Sequence, residues 1–388
     1  MEAYWSTWSM ALYLIMGFIS MSAVKKTKRI ERITGQKQPV SNKFYIVWYL
    51  IWLFITVFRK VDFGIGGSDA IEYKLYFDDC LNPNLHTLYA EHLDYGFQIL
   101  TKIIRLFTSN YKIYFALIYS IIIVSYIVFI NELTPTRIYY EPMVLAFFVY
   151  LRGFTSIRTN LSVAFLLLSL VYLYKSKKIL SGAFLILCLG MHIASFLYVP
   201  FYVFYFLYKK KNRLKIWQWA SLYLLVLIGA RVGQQVVMRM TGLRGAYAYY
   251  ASMSMNASFF DNGWKIAFGQ ILLLVLFFCF QFDVYKMIKN CEVVDKNRYR
   301  FVYLMCVYDF LMIPVNFILG IWRGSEYFYL ARLILWGVVI KTISAHISVN
   351  SKKIFRISVL ILFVAWMVFR VYNTYEDSLL MPYIFDII

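Results

Sequence analysis

Apolar runs too long and too continuous for a water-soluble core recur along this chain, and they restrict it to one kind of fold. Residues 111–130 and 264–284 are two of them. In lipid every backbone N–H and C=O must be bonded within the protein, so only helices or a closed barrel can span. The runs do not alternate apolar with polar, which selects helices over barrel strands. Composition agrees: 61% of the 388 residues are hydrophobic and 15% are charged, where a soluble chain carries about a quarter charged residues. The expected fold is an all-α polytopic membrane protein with about 10–12 transmembrane helices. It forms a single membrane domain over residues 1–388.

The formal net charge of +20 is not a nucleic-acid signature. The lysines sit in short loops between apolar runs, where the positive-inside rule places them. Residues 1–24 lack a basic leader and are followed by KKTKR, which reads as a retained first span rather than a cleaved signal peptide. Cys80, Cys188, Cys279, Cys291 and Cys306 have neither metal nor redox spacing. No HExxH, CxxC or DxD pattern occurs, so no metal and no cofactor is expected.

The chain then divides as follows. A first span at 4–24 precedes a basic inner loop at 25–43, and a second span at 44–58 leads out. Residues 59–110 form an acidic outer loop whose segment 95–107 has helical apolar spacing and lies in the interface. After a span at 111–130 comes the core region, 141–213, in which short apolar runs are broken by polar residues. One break holds Arg152, Gly153, Ser156 and Arg158; the other holds His192 and Ser195. Residues 179–208 are about 30 in number with lysines at both ends, which calls for two short helices turning near His192. Further helices occupy 216–232 and 264–372, the latter interrupted by a basic inner loop at 286–300.

Ionisable groups at membrane depth default to functional candidates. The outer ends of the later spans favour arginine over lysine, and a guanidinium keeps its charge when buried and grips phosphate bidentately. With Ser325 as cap, Arg332 lies about 10 Å inside its helix. It then either meets a diphosphate or pairs internally with Asp309, Glu326 or Asp69. Arg158 precedes a span whose Thr159 and Asn160 offer backbone donors to an anion. Arg152 and Arg323 are candidates of the same kind, or snorkelling interface residues. His192 is either a general base or a satisfied polar residue closing the helical turn. Asp69, Glu72, Tyr73 and Tyr76 share one face of a short helix. That face suits sugar hydroxyls or a carboxylate that orients a base, and equally a capping box of Asp69 with Glu72.

These residues, in this order, resemble the EpsG-type branch of the Wzy-like exopolysaccharide and O-antigen polymerases. The carriers are Gly67-Ser68-Asp69 with Tyr73, then Asp94-Tyr95-Gly96-Phe97, then S-I-R-T-N-L-S-V-A-F around Arg158. M-H-I-A-S around His192 and Y-F-Y-L-A-R ending at Arg332 complete the set. The resemblance covers about residues 45–335. It departs where Thr159 follows Arg158 and where Asp94-Tyr95 replaces Glu-x.

It implies a GT-C-like fold in the bacterial cytoplasmic membrane with the active site outside. The implied substrates are glycans on undecaprenyl diphosphate, as donor and as acceptor, without a metal. A flippase and a chain-length regulator are the implied partners. On that basis His192 acts as base with Asp69 or Glu72 beside it. Arg158, Arg332, Arg152 and Arg323 hold the diphosphate, and Tyr73, Tyr76 and Asp94 contact the glycan. A flippase of the same lipid would need cations along the whole bundle. A glycan ligase would share this chemistry and differ in acceptor. A scaffold would leave the deep arginines without a use.

Overall fold

The computed structural model describes residues 7–82, 93–210, 214–239, 264–319 and 322–386, without the side chains of 236–239, 264–266, 322–323 and 374–377. Fourteen α-helices run in chain order among them: α1 Thr7–Thr34, α2 Lys43–Val57, α3 Ala70–Asp79, α4 Tyr95–Phe107, α5 Tyr111–Leu133, α6 Ala146–Leu151, α7 Ile157–Tyr174, α8 Lys178–Met191, α9 Pro200–Tyr208, α10 Ile216–Arg239, α11 Trp264–Lys289, α12 Val293–Ile318, α13 Tyr329–Ala345 and α14 Lys352–Ser378. The protein is an all-α polytopic membrane protein. Seven of the described helices are long and apolar enough to cross a membrane, and the shorter apolar helices Lys43–Val57, Lys178–Met191 and Ile193–Tyr208 add three.

The chain separates into two compact units, Met1–Ile193 with Ser344–Ile388, and Ala194–Ile343. In the first, α7 packs on α5 and α8, α2 packs on α1 and α5, and the 3-10 turn Glu141–Leu145 is held between α1 and α14. Its centre is aromatic. Trp52 stacks on Tyr150 at 4.5 Å and meets Trp48 and Phe147 edge-on at 4.9 and 5.1 Å. Helices α3 and α4 lie against α5, and α4 also lies against α8. In the second unit α12 is central, contacting α9, α10, α11 and the 3-10 turn Trp322–Glu326.

Two expected boundaries move. α1 does not end at residue 24 but continues through KKTKR to Thr34, and Lys28 gains partners by staying helical. Lys28 donates to Asn131 O at 2.7 Å and to Glu31 at 2.8 Å. Glu132, at the end of α5, takes Lys175 at 2.9 Å and also Lys37. Likewise α12 begins at Val293, inside the expected inner loop, with Arg298 bonded to Asp295 one turn earlier at 3.3 Å. The breaks in the core region fall where expected. The short run after residue 141 divides into 3-10 turn, α6 and a second 3-10 turn Arg152–Phe154, and α8 stops at Met191 with His192 as its C-cap.

Candidate functional site

The site forms where four segments of the first unit meet. α7 starts at Ile157, two residues earlier than expected, so Arg158 lies in its first turn. Helix α4 starts after Asp94, which occupies the N-cap position without a side-chain capping bond. That leaves the Asp94 carboxylate available for other partners. His192 ends α8 in extended backbone conformation, and Tyr73 sits in the first turn of α3.

What joins α4 to α8 is a backbone crossing. A Cβ built on Gly96 would stand 2.6 Å from Gly190 O and 2.8 Å from Gly190 Cα. Only a residue without a side chain permits that approach. Gly96 is two residues beyond Asp94 and Gly190 is two before His192, so the crossing delivers the two side chains to one place. The Asp94 Oδ2 atom then takes Arg158 Nη1 at 3.0 Å and lies 3.4 Å from His192 Nδ1. Arg158 Nε donates to Tyr73 Oη at 3.4 Å, and Tyr73 meets Phe97 edge-on at 5.4 Å. Asp94 is 5% exposed, whereas the Arg158 side chain keeps 19% and His192 12% of their surface. A buried carboxylate thus holds two side chains that still reach solvent.

Chemically this is an oriented imidazole beside a guanidinium. An Nδ1–H pointed at the carboxylate leaves Nε2 as the basic nitrogen of the neutral ring. The guanidinium keeps its charge at any working pH. Among the described residues no group of three His, Cys, Asp or Glu side chains is arranged to hold a metal ion.

Several expectations change in the folded protein. A carboxylate found against His192 is that of Asp94, which the resemblance assigns to the glycan, because the α4–α8 crossing is a long-range feature. Asp69 does take the N-cap position of α3, but without a side-chain cap bond, so the expected capping box does not form; its Oδ1 accepts from Ser68 Oγ at 3.1 Å. The four residues expected on one face of α3 separate. Tyr73 and Tyr76 are 4% and 2% exposed and point inward, while Glu72 is exposed. The Tyr76 hydroxyl has no hydrogen-bond partner among the described residues, and burial pushes its phenol up to about 12.

The earlier start of α7 also places Asn160 N on Ser156 O at 3.1 Å, so Asn160 is not a free donor for an anion. Arg152 belongs to the adjoining turn, its guanidinium 5.7 Å from the centre of the Phe148 ring. In the second unit, Arg332 lies in the first turn of α13, not two turns inside, since Ser325 falls in the preceding 3-10 turn. It is paired internally, with Asp309 Oδ2 at 3.2 Å, with Ser325 O, and over the Tyr329 ring at 4.7 Å. The expectation for the Arg323 side chain lies outside the described residues.

A sequence model of the EpsG family matches the chain over residues 45–385, a range that contains all of these residues. The chain belongs to the EpsG family. This is a family of exopolysaccharide, Wzy-like polymerases, which gives the protein a general role in polysaccharide polymerisation and fits its membrane helices. The match runs some way past Arg332, to the end of the described C-terminal segment. None of the curated proteins and none of the solved structures matches the chain.

Proposed function

We propose that this EpsG-family protein transfers a growing glycan from undecaprenyl diphosphate to the non-reducing end of a lipid-linked repeat, on the outer face of the bacterial cytoplasmic membrane. The observation that carries the proposal is the single Asp94 oxygen shared by Arg158 and His192. In the proposed step, His192 Nε2 takes the proton of the acceptor hydroxyl, whose oxygen bonds to the sugar anomeric carbon. The bond from that carbon to the diphosphate breaks, and the charge left on the diphosphate is met by Arg158, with Arg152 close by in the chain. Diphosphate is a good leaving group, so no separate acid is required. Asp94 holds the imidazole in its tautomer and offsets the charge it gains.

The guanidiniums fill the electrostatic role that a metal ion has elsewhere, and activity in the presence of a chelator is expected. Arg332, engaged by Asp309 and Ser325, is not assigned to this step. Helix α4 supports a site at headgroup depth. Its inner face buries Phe97, Thr101 and Ile104, while Tyr95, Ile99, Ile103 and Leu106 are exposed along another face. Such a helix suits the membrane interface. Donor and acceptor lipids, a flippase that supplies repeats and a chain-length regulator are the partners this activity requires. A GT-C-like bundle is the architecture that suits them.

The test uses a deletion strain complemented with wild type, His192→Ala, Asp94→Ala or Arg158→Ala at matched membrane abundance. Surface glycan and the lipid-linked pool are sized. Each variant is expected to accumulate single repeats on the lipid while the polymer ladder disappears. Full-length polymer retained on the carrier would mean a ligase, and repeats trapped on the inner leaflet a flippase.

A further inference from the structure

Arg59, just past the end of α2, is 1% exposed, and among the described residues no carboxylate pairs with it. Its guanidinium lies 3.9 Å from the centre of the Phe154 ring, 5.1 Å from Tyr119 and 5.6 Å from Phe115. Nη2 donates to Tyr119 Oη at 3.0 Å, whereas Nε and Nη1 have no acceptor. A buried cation without a counter-charge is costly, and cation–π attraction offsets only part of that cost. An apolar side chain of the same volume would fill this space more cheaply. The charge and the fork therefore point to a use.

Their contacts converge on one turn. Tyr119 Oη, held by Arg59, donates onward to Gly153 O at 2.9 Å, and the guanidinium faces Phe154 of the same turn. Arg152 O in this turn accepts Thr155 N and Ser156 N, both at 3.1 Å, and α7 begins at the next residue. Gly153 packs on the side chain of Asn160 at 3.2 Å from its Cβ position, one helical turn into α7. Arg158 stands between these anchors. On its other side the loop after Arg59 reaches the same turn, since a Cβ on Gly67 would lie 2.0 Å from Phe154 O. That loop leads into α3 and to Tyr73, the partner of Arg158 Nε.

We propose that Arg59 is a positioning residue for the Arg158–Asp94–His192 site, acting through Tyr119 on the Gly153 turn that launches α7. This rests on the reading of that site as the polymerase centre. Tyr119→Phe is the sharpest probe, because it removes both hydrogen bonds of the relay and keeps the ring beneath the guanidinium. Arg59→Met removes the charge at similar volume. Full-length wild type, both variants and Arg158→Ala are purified in detergent. Each is assayed for polymerisation of lipid-linked repeats extracted from the deletion strain, and for its melting temperature.

Misplacing Arg158 weakens its grip on the donor, so Tyr119→Phe is expected to raise KM for the repeat by at least about tenfold while melting close to wild type. Arg59→Met is expected to do the same; if it fails to fold, Tyr119→Phe decides alone. A lowered melting temperature with wild-type KM for Tyr119→Phe would make the role purely structural and overturn the proposal. Lost polymer in Arg158→Ala beside wild-type kinetics in Tyr119→Phe would overturn the positioning role alone. Full polymerisation by Arg158→Ala would overturn the reading of the site, and the positioning role with it.

Discussion

Two arginines of one chemistry serve different ends here because their surroundings differ. Arg158 shares a carboxylate with His192 and keeps part of its surface exposed. Arg332 is 6% exposed against an Asp309 that is wholly buried, and Gln270 Nε2 adds a 2.8 Å bond to the same carboxylate oxygen. Removing one member of such a pair leaves a buried charge alone. Asp309→Ala is therefore expected to destabilise the protein by about 3–5 kcal/mol. The double change Asp309→Leu with Arg332→Met should cost clearly less than the sum of its parts, because both charges leave together. Thermal unfolding of the purified variants in detergent checks this. A double-variant loss equal to the sum of the two single losses would refute the pairing.

At the scale of elements, the site depends on how closely α4 meets α8. A methyl group on Gly96 would press against the Gly190 backbone, which no rotamer change relieves, whereas a Cβ on Gly190 finds Gly96 Cα at an ordinary 3.6 Å. Gly96→Ala is accordingly expected to separate Asp94 from His192 and cut polymer formation by about 10- to 100-fold. Gly190→Ala should retain most of it. Glycan ladders at matched abundance distinguish the two, and equal ladders would show that the crossing does not set the site. The 3-10 turn Arg152–Phe154 works in the same way for α7, where a close approach of the Gly67 loop fixes the helix start.

At the scale of the whole molecule, residues 379–386 return from α14 to strap the loop that leads into α3. Lys60 N bonds Ile384 O at 2.8 Å, Asp386 N bonds Phe58 O at 2.7 Å, and Gly66 N and Gly67 N bond Leu379 O at 3.1 and 3.2 Å. Tyr383 N bonds Ser9 Oγ of α1 at 2.8 Å, and Tyr111 Oη bonds Asp386 Oδ2 at 2.6 Å. The Tyr111 hydrogen bond, with Lys112 beside it, holds the Asp386 carboxyl below its usual value. A depressed folded value means that Asp386 contributes stability above its unfolded value of about 4, and that the contribution fades as pH falls below it. The protection of the Lys60 and Asp386 amides, taken against their intrinsic exchange rates at each pH, is expected to fall below about pH 4. Asp386→Asn should exchange faster at neutral pH and lose that acid dependence. An unchanged profile in the variant would remove Asp386 from the strap's hold.

Local pattern determined much of this protein without tertiary information. Continuous apolar runs require membrane helices wherever backbone groups cannot reach water, and the polar breaks at Arg152–Arg158 and at His192 mark where helices stop. The amphipathic spacing of Tyr95–Phe107 appears as α4 with the same bounds, and the ordered motifs were enough to indicate the family. Pairings between residues far apart in the chain were decided by the fold. Asp94 and His192 are 98 residues apart, and no spacing rule links them; the glycine crossing does. Arg59 stands at the edge of an acidic loop, where only its aromatic cage distinguishes it from an ordinary interface arginine. The direction in which α3 points Tyr73 and Tyr76, and the carboxylate that takes Arg332, follow from which faces the helices bury. Burial depends on neighbours, and neighbours are set by the tertiary structure.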